Sequence, residues 1–354
     1  MQAFVNSCAA TGNICYFDQG AYIVTSTVTI PPGTKIVGEL YSIIMGTGPR
    51  FQDVNNPIPM WRVGNPGDIG VVEIQDLMFE TRGPTPGMIV VEWNIAASSQ
   101  GSAGMWDTHW RIGATASTGL QQDTCLKQPA VPVLAGAPSI TSCTATFLLL
   151  HVTASGNGYF ENIWGWVSDH ELDLGTRDQV TIYNGRGFLI EGNGPNWLYG
   201  TSTEHSTLYN YQWANSRNTY AGVIQTETAY FQGNPNALVP FAPNPRFSDP
   251  TFADCSQPNC ARTWGARFVN SRDIYIYGSG LYNFFNNYNT PSCLGTESCQ
   301  ERMVGFQNSS NIYMWAMSTK GSSFMVEVDG TDLLSWQVNR AGFCATVVLF
   351  ELAG

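Results

Sequence analysis

The sequence predicts an all-β fold, a right-handed parallel β-helix wound by one domain spanning residues 1–354. Three observations predict it. Apolar runs are only three to five residues long and are separated by Gly or Pro, too short for helices and rich in β-branched residues. One hexapeptide recurs as Asn215-Ser216-Arg217-Asn218-Thr219-Tyr220, Asn270-Ser271-Arg272-Asp273-Ile274-Tyr275 and Asn308-Ser309-Ser310-Asn311-Ile312-Tyr313. A turn that recurs before a strand marks a stacked solenoid. Finally, charged residues make up only 12% while Gly alone numbers 36, a turn-rich composition rather than a helical one.

Residues 16–47 open the chain with Tyr-Phe, Ala-Tyr-Ile-Val, Thr-Val-Thr-Ile, Lys-Ile-Val and Ser-Ile-Ile-Met runs divided by tight turns, an entry of the pectate-lyase-like type. The same rhythm continues at 71–79, 88–95, 145–152, 179–183, 268–277, 303–314 and 345–352. In the hexapeptides Asn accommodates the left-handed turn conformation and the Ile/Thr-Tyr pair starts a strand, so these asparagines read as a structural turn ladder. Two stretches break the rhythm. Residues 113–144 form a long excursion rich in small residues, and residues 232–265 carry six prolines. Because the second follows Glu227 almost directly, it is expected to wall a cleft.

Charge and cysteine content narrow the partners. A net charge of 16 − 27 = −11 argues against nucleic acid and anionic membrane, and leaves a neutral polymer compatible. The nine cysteines fall in close pairs, Cys8 with Cys15, Cys125 with Cys143, Cys255 with Cys260 and Cys293 with Cys299, leaving Cys344 as one buried thiol. None has a metal-ligand spacing with His, so neither metal nor cofactor is expected. Disulfides and the Asn308-Ser309-Ser310 acceptor sequence fit a secreted glycoprotein. Met1-Gln2-Ala3-Phe4 does not read as a signal peptide, which suggests a fragment of a longer protein.

The chemistry concentrates in residues 197–231. Glu204, between Thr203 and His205, and Glu227, between Thr226 and Thr228, stand 23 residues apart among aromatics and hydroxyl residues. If one turn takes about 23 residues, both lie on adjacent rungs roughly 4.8 Å apart. Paired carboxylates in an aromatic cleft are what glycoside hydrolysis needs. On the residues alone, two ordinary strand-end acids are an equally open reading.

Five motifs in chain order, Gly104-Met-Trp-Asp-Thr-His109, Trp164-Gly-Trp-Val-Ser-Asp-His170, Gly200-Thr-Ser-Thr-Glu-His205, Ile224-Gln-Thr-Glu-Thr-Ala-Tyr230 and Leu281-Tyr-Asn-Phe-Phe-Asn-Asn-Tyr288, resemble glycoside hydrolase family 55. These are exo-β-1,3-glucanases (glucan 1,3-β-glucosidases) of two tandem β-helices with the active site between them. The chain resembles the second helix, with the N-terminal helix absent. The resemblance implies release of glucose from the non-reducing end of β-1,3-glucan with inversion. It places Glu227 as general acid, Glu204 as assisting carboxylate, and Trp166 and Tyr230 at the terminal-glucose subsite. Tyr41 stands where a cleft aromatic is expected, and Asp169, His170 and His205 are candidate hydroxyl partners.

An inverting acid must carry a proton near neutral pH, so Glu204 is expected to raise the pKa of Glu227. Rival readings are weaker. A pectate lyase wants an acidic calcium cluster with a basic catalyst, and a polygalacturonase wants several close aspartates. No nucleophile-elbow sequence accompanies His109, His151 and His205. A non-catalytic β-glucan-binding or structural fragment stays open, since half of a shared cleft would be missing.

Overall fold

The computed structural model describes residues 1–127 and 136–354, and nearly every strand stacks on a strand of the previous turn. One sheet climbs through Lys35–Gly46, Val72–Thr81, Asn196–Glu204, Arg217–Glu227, Arg272–Tyr282 and Ser310–Lys320, all in parallel register. A second sheet, of ten strands, returns the chain through Thr85–Trp93, Thr144–Val152, Tyr183–Ile190, Ser206–Ala214, Trp264–Val269 and Gln300–Gln307. The fold is therefore a parallel β-helix, as the short apolar runs predict. Its core fills the space between the sheets with in-register stacks such as Trp213, Phe268 and Phe306, whose ring centroids lie 4.8 Å apart.

Four successive strands of the first sheet each turn a corner through one residue with left-handed backbone. Gly200, Val223, Gly278 and Ala316 form that column, with φ of 57°, 60°, 85° and 50°. Along Arg217–Glu227 the buried side chains are Thr219 and Ala221 before the corner, then Ile224 and Thr226 after it. The corner residue shifts the alternation by one position, so Gln225 and Glu227 face outward while Thr226 fills the interior. This explains why Thr203 precedes Glu204 and Thr226 precedes Glu227. The β-branched residues pack inward and each carboxylate points out.

The asparagine ladder forms as expected. Asn215, Asn270 and Asn308 all have positive φ, and Nδ2 of Asn308 donates to Asn270 Oδ1 at 2.8 Å while Nδ2 of Asn270 donates to Asn215 Oδ1 at 3.3 Å. All four expected disulfides are present, and Cys344 is the free cysteine, half-buried rather than buried.

At one end the helix Gln2–Thr11 covers the first turn, buries Val5 and Cys8, and is tied down by Cys8–Cys15. Its Gln2 amide both donates to and accepts from the Thr29 backbone, pairing an otherwise open strand edge. At the other end Cys344–Leu352 pairs antiparallel to Ser310–Lys320 and ends the winding.

The 232–265 excursion does not wall the cleft beside Glu227, contrary to expectation. It folds against the ten-stranded sheet instead. Asp249 reaches the guanidinium of Arg186, both side chains fully buried, and Phe247 packs on Phe147, on which Arg186 also stacks at 3.8 Å. A buried unpaired Arg186 needs a carboxylate more than the cleft needs a wall. Of the 113–144 excursion, residues 128–135 lie outside the described residues.

Candidate active site

The register of the first sheet sets up the site. Arg111 pairs with Trp166, Trp166 with Glu204, and Glu227 with Tyr282, one above the next, while Ser202 pairs with Gln225 two residues before the glutamates. Glu204 and Glu227 are thus neighbours in one column, on adjacent rungs about 4.8 Å apart. Both open into a single cleft of about 780 Å³. A cleft of that size suits a sugar or short oligosaccharide.

Of the residues singled out from the sequence, Glu204, Glu227, Trp166, Tyr230, Asp169, His170 and His205 all line this cleft. The side chain of Tyr41 lies outside the described residues. Seven lining residues were not singled out as site residues: Ile43, Met78, His109, Trp110, Arg111, Trp164 and Leu172. The signal for Trp164 was present, because it lies two residues before Trp166 and therefore on the same face. It is also the more exposed ring, at 39% against 7% for Trp166, and the two stack at 5.2 Å and 21°. Arg111 is reached only through strand pairing, which the sequence does not disclose.

His205 organises the polar end. It takes a left-handed backbone conformation (φ 63°), and its N–H donates to the Glu227 carbonyl at 2.8 Å. Its Nδ1 bonds the Val167 carbonyl at 2.8 Å, and its Nε2 lies 3.7 Å from Glu227 Oε2. The Asp169 carboxylate, 4.0 Å from Nδ1, also bonds His170 at 3.0 Å. Tyr230 donates its hydroxyl to Glu227 and packs edge-on to His205 at 4.5 Å, with Phe285 behind it at 4.2 Å.

These contacts set the charges. Burial pushes His205 down, but Glu227, Asp169 and Glu204 around it raise its pKa to about 9, so it is an imidazolium near neutral pH. Burial pushes Glu227 up, yet its pairing with His205 and then the Tyr230 hydroxyl outweigh that and hold it below the ordinary carboxylate value. Glu204 goes the other way. Burial raises it, the Glu227 charge adds, and opposition from His205, Ser202 and Trp164 does not cancel the rise. The expectation that Glu227 would be the raised carboxyl is thus reversed in the unliganded cleft. His205, which the sequence marked only as a sugar-contact candidate, is the cause.

Among the described residues no group of three or more His, Cys, Asp or Glu side chains could hold a metal ion. The chemistry available is that of carboxyls, an imidazolium and aromatic faces.

No family model matches the chain. Among curated relatives it is 49% identical over 343 residues to a probable glucan endo-1,3-beta-glucosidase of Arthroderma benhamiae, covering 97% of this chain and 38% of that protein. It is 37% identical over 353 residues to a glucan 1,3-beta-glucosidase of Cochliobolus carbonum, covering 98% and 43%. The non-secreted LysM effector LysM15 of Penicillium expansum is 38% identical over 350 residues, covering 98% and 23%. Among solved structures, sacteLam55A from Streptomyces sp. SirexAA-E superposes with a TM-score of 0.55 at 15% identity, over 99% of this chain and 53% of that one. The chain is homologous over nearly its whole length to proteins named glucan 1,3-beta-glucosidases and resembles glycoside hydrolase family 55.

This family 55-like chain spans less than half the length of the curated relatives it matches. A variant of sacteLam55A in complex with glucose superposes with a TM-score of 0.51 at 16% identity, over 98% of this chain and 52% of that one. Both structural matches concern the shared fold.

Proposed function

We propose that this chain forms the acid-bearing wall of a cleft that hydrolyses β-1,3-glucan and releases glucose from the non-reducing end with inversion. The observation that carries the reading is the column Trp166–Glu204–Glu227, which aligns an aromatic face and two carboxyls along one groove. Relatives named as glucan 1,3-beta-glucosidases supply the glucan and the linkage.

In this reading a terminal pyranose stacks its apolar face on the Trp164–Trp166 pair. Asp169 and His170 accept and donate hydroxyl hydrogen bonds. Glu227, the less buried of the two glutamates, protonates the departing O3 oxygen. Because the two carboxyls and His205 are mutually coupled, they hold their protons as a unit. Sugar entry expels water, which disfavours the charge-separated His205–Glu227 pair and favours the neutral acid next to neutral imidazole. Glu204, whose pKa burial raises, competes less for that charge. The attacking water bonds C1 from the opposite face as the C1–O3 bond breaks and gives its proton to a base, a task shared with a further β-helix of a longer, secreted protein.

The experiment is hydrolysis of laminarin by the longer protein, with the anomer of released glucose followed by NMR. Glu227→Gln is expected to slow turnover by about 10²–10⁴ in a chain that still folds, and α-glucose is the expected first product. Undiminished turnover in that variant would place the acid elsewhere, and β-glucose would rule out inversion.

A further inference from the structure

The ten-stranded sheet carries a second concavity, of about 370 Å³, whose lining residues are entirely different from those of the acid cleft. Its wall on one side is Trp264, at the start of Trp264–Val269, and on the other the 250–254 stretch of the proline-rich excursion. The Trp264 ring lies flat over Gly305, where a Cβ would come within 2.8 Å of it. Glycine at 305 therefore lets one ring face rest on backbone, and no other aromatic ring packs on Trp264 among the described residues.

The outward aromatics of the first sheet are arranged differently. Tyr220, Tyr277 and Trp315 stack on one another at 5.3 Å and 4.2 Å, so their faces are covered and only edges remain. A sugar stacks on a face, not an edge.

Polar groups around Trp264 are fixed. Arg267 donates to Gln212, to the Ser248 carbonyl and to Gln307 Oε1 at 2.9 Å, so the Gln307 amide is oriented, and among the described residues its nitrogen has no protein partner. Glu327 is buried, and one of its oxygens accepts the Gly330 N–H while the other has no hydrogen bond from the described residues. An oriented amide donor, a carboxylate acceptor and an open indole face around a hexose-sized space match a polyhydroxylated ring. Asp254, Glu327 and Asp329 against Arg267 give the lining an acidic balance that repels sulfated, phosphorylated or uronic sugars.

We propose that this concavity is an accessory site that holds one pyranose of a neutral β-glucan chain on Trp264, separate from the acid cleft. The choice of β-1,3-glucan rests on the function proposed above, whereas the pyranose chemistry rests on the concavity alone. Held there, an insoluble glucan stays anchored to the protein while its chain ends are processed on the other sheet.

The test is retention of the protein on insoluble β-1,3-glucan (curdlan), with chitosan as the cationic comparison. Trp264→Ala is expected to lower the bound fraction about tenfold, as truncating an aromatic anchor does. Thr251 is exposed on the opposite wall, so Thr251→Phe blocks the space without touching the core and is expected to do the same with unchanged melting temperature. Curdlan retention equal to wild type in both variants would overturn the site. So would wild-type retention on chitosan in preference to curdlan, since the carboxylates would then be holding an amine. A protein that binds curdlan through Trp264 but never hydrolyses laminarin would leave this site standing and sink the proposed hydrolysis.

Discussion

Nε2 of His205 stands 3.7 Å from Oε2 of Glu227, while Nδ1 of the same ring is held by the Val167 carbonyl at 2.8 Å. The ring therefore has one nitrogen fixed by backbone and one aimed at the carboxylate that the proposed chemistry needs as an acid. The imidazolium and the carboxylate stabilise each other's charged forms.

The pH dependence follows from the signs. His205, raised to about 9, contributes stability that is complete below the ordinary histidine value of about 6.5 and vanishes as pH rises through about 9. Glu227, lowered, contributes stability that is present above the ordinary glutamate value and is lost as pH falls through its depressed one. The pair is thus fully effective between about pH 4.5 and 6.5. Histidine titration by NMR should show one ring that keeps its proton well past neutrality, and His205→Gln should remove that signal and raise Glu227. A set of four imidazoles all titrating near 6.5 would refute the pairing.

The two glutamates are expected to respond differently to the same substitution. Glutamine imitates the neutral acid, the form that burial favours at Glu204, so Glu204→Gln should change the melting temperature little. Glu227→Gln takes the anion away from His205 and should destabilise, while slowing laminarin hydrolysis by about 10²–10⁴. Parallel thermal melts and glucose-release assays of the two variants check this. Equal destabilisation by both would mean that Glu204 is ionised in the native cleft.

How much of this was legible beforehand depends on whether the signal was local. Glu204, Glu227 and the threonines around them disclosed an outward column because alternation is a property of neighbouring residues. The Asn215, Asn270 and Asn308 turns were legible for the same reason. The corner column was not, since Val223 with φ 60° has no sequence signature and β-branched residues disfavour that conformation. The path of residues 232–265 was hidden because its destination is a single buried cation, Arg186, more than 40 residues earlier. The reversed charges at Glu204 and Glu227 depend on where the His205 ring points, which only coordinates supply.

Arg186 and Asp249 give a prediction about the excursion. Both side chains are fully buried, and Asp249 also accepts the Asn244 N–H at 2.7 Å, so one carboxylate holds the cation and the loop together. Asp249→Ala should cost about 3–5 kcal/mol by leaving the guanidinium buried without a partner. Replacing both, as Arg186→Met with Asp249→Leu, should recover much of that loss because no charge is then stranded. Urea unfolding of the single and double variants measures it. A double variant as unstable as the single one would show that the loss comes from packing.

Glu80 makes a prediction with the opposite sign. Its carboxyl lies beneath the cleft residue Arg111, 3.8 Å from the guanidinium, and accepts the Thr115 hydroxyl. Burial raises its pKa to about 7 against the lesser pull of Thr115 and Arg111. Between about pH 4.5 and 7 the unfolded chain therefore gives up this proton before the native state does, and stability falls as pH rises. The penalty reaches up to about 3 kcal/mol above pH 7. Glu80→Gln keeps an oxygen for Thr115 and has no proton to lose, so the variant should be more stable than the parent at pH 8 and close to it at pH 4.5. The comparison is urea unfolding at both pH values. A gap that does not widen with pH would mean that Glu80 is already ionised against Arg111, and Arg111 would then enter the cleft as a neutralised partner.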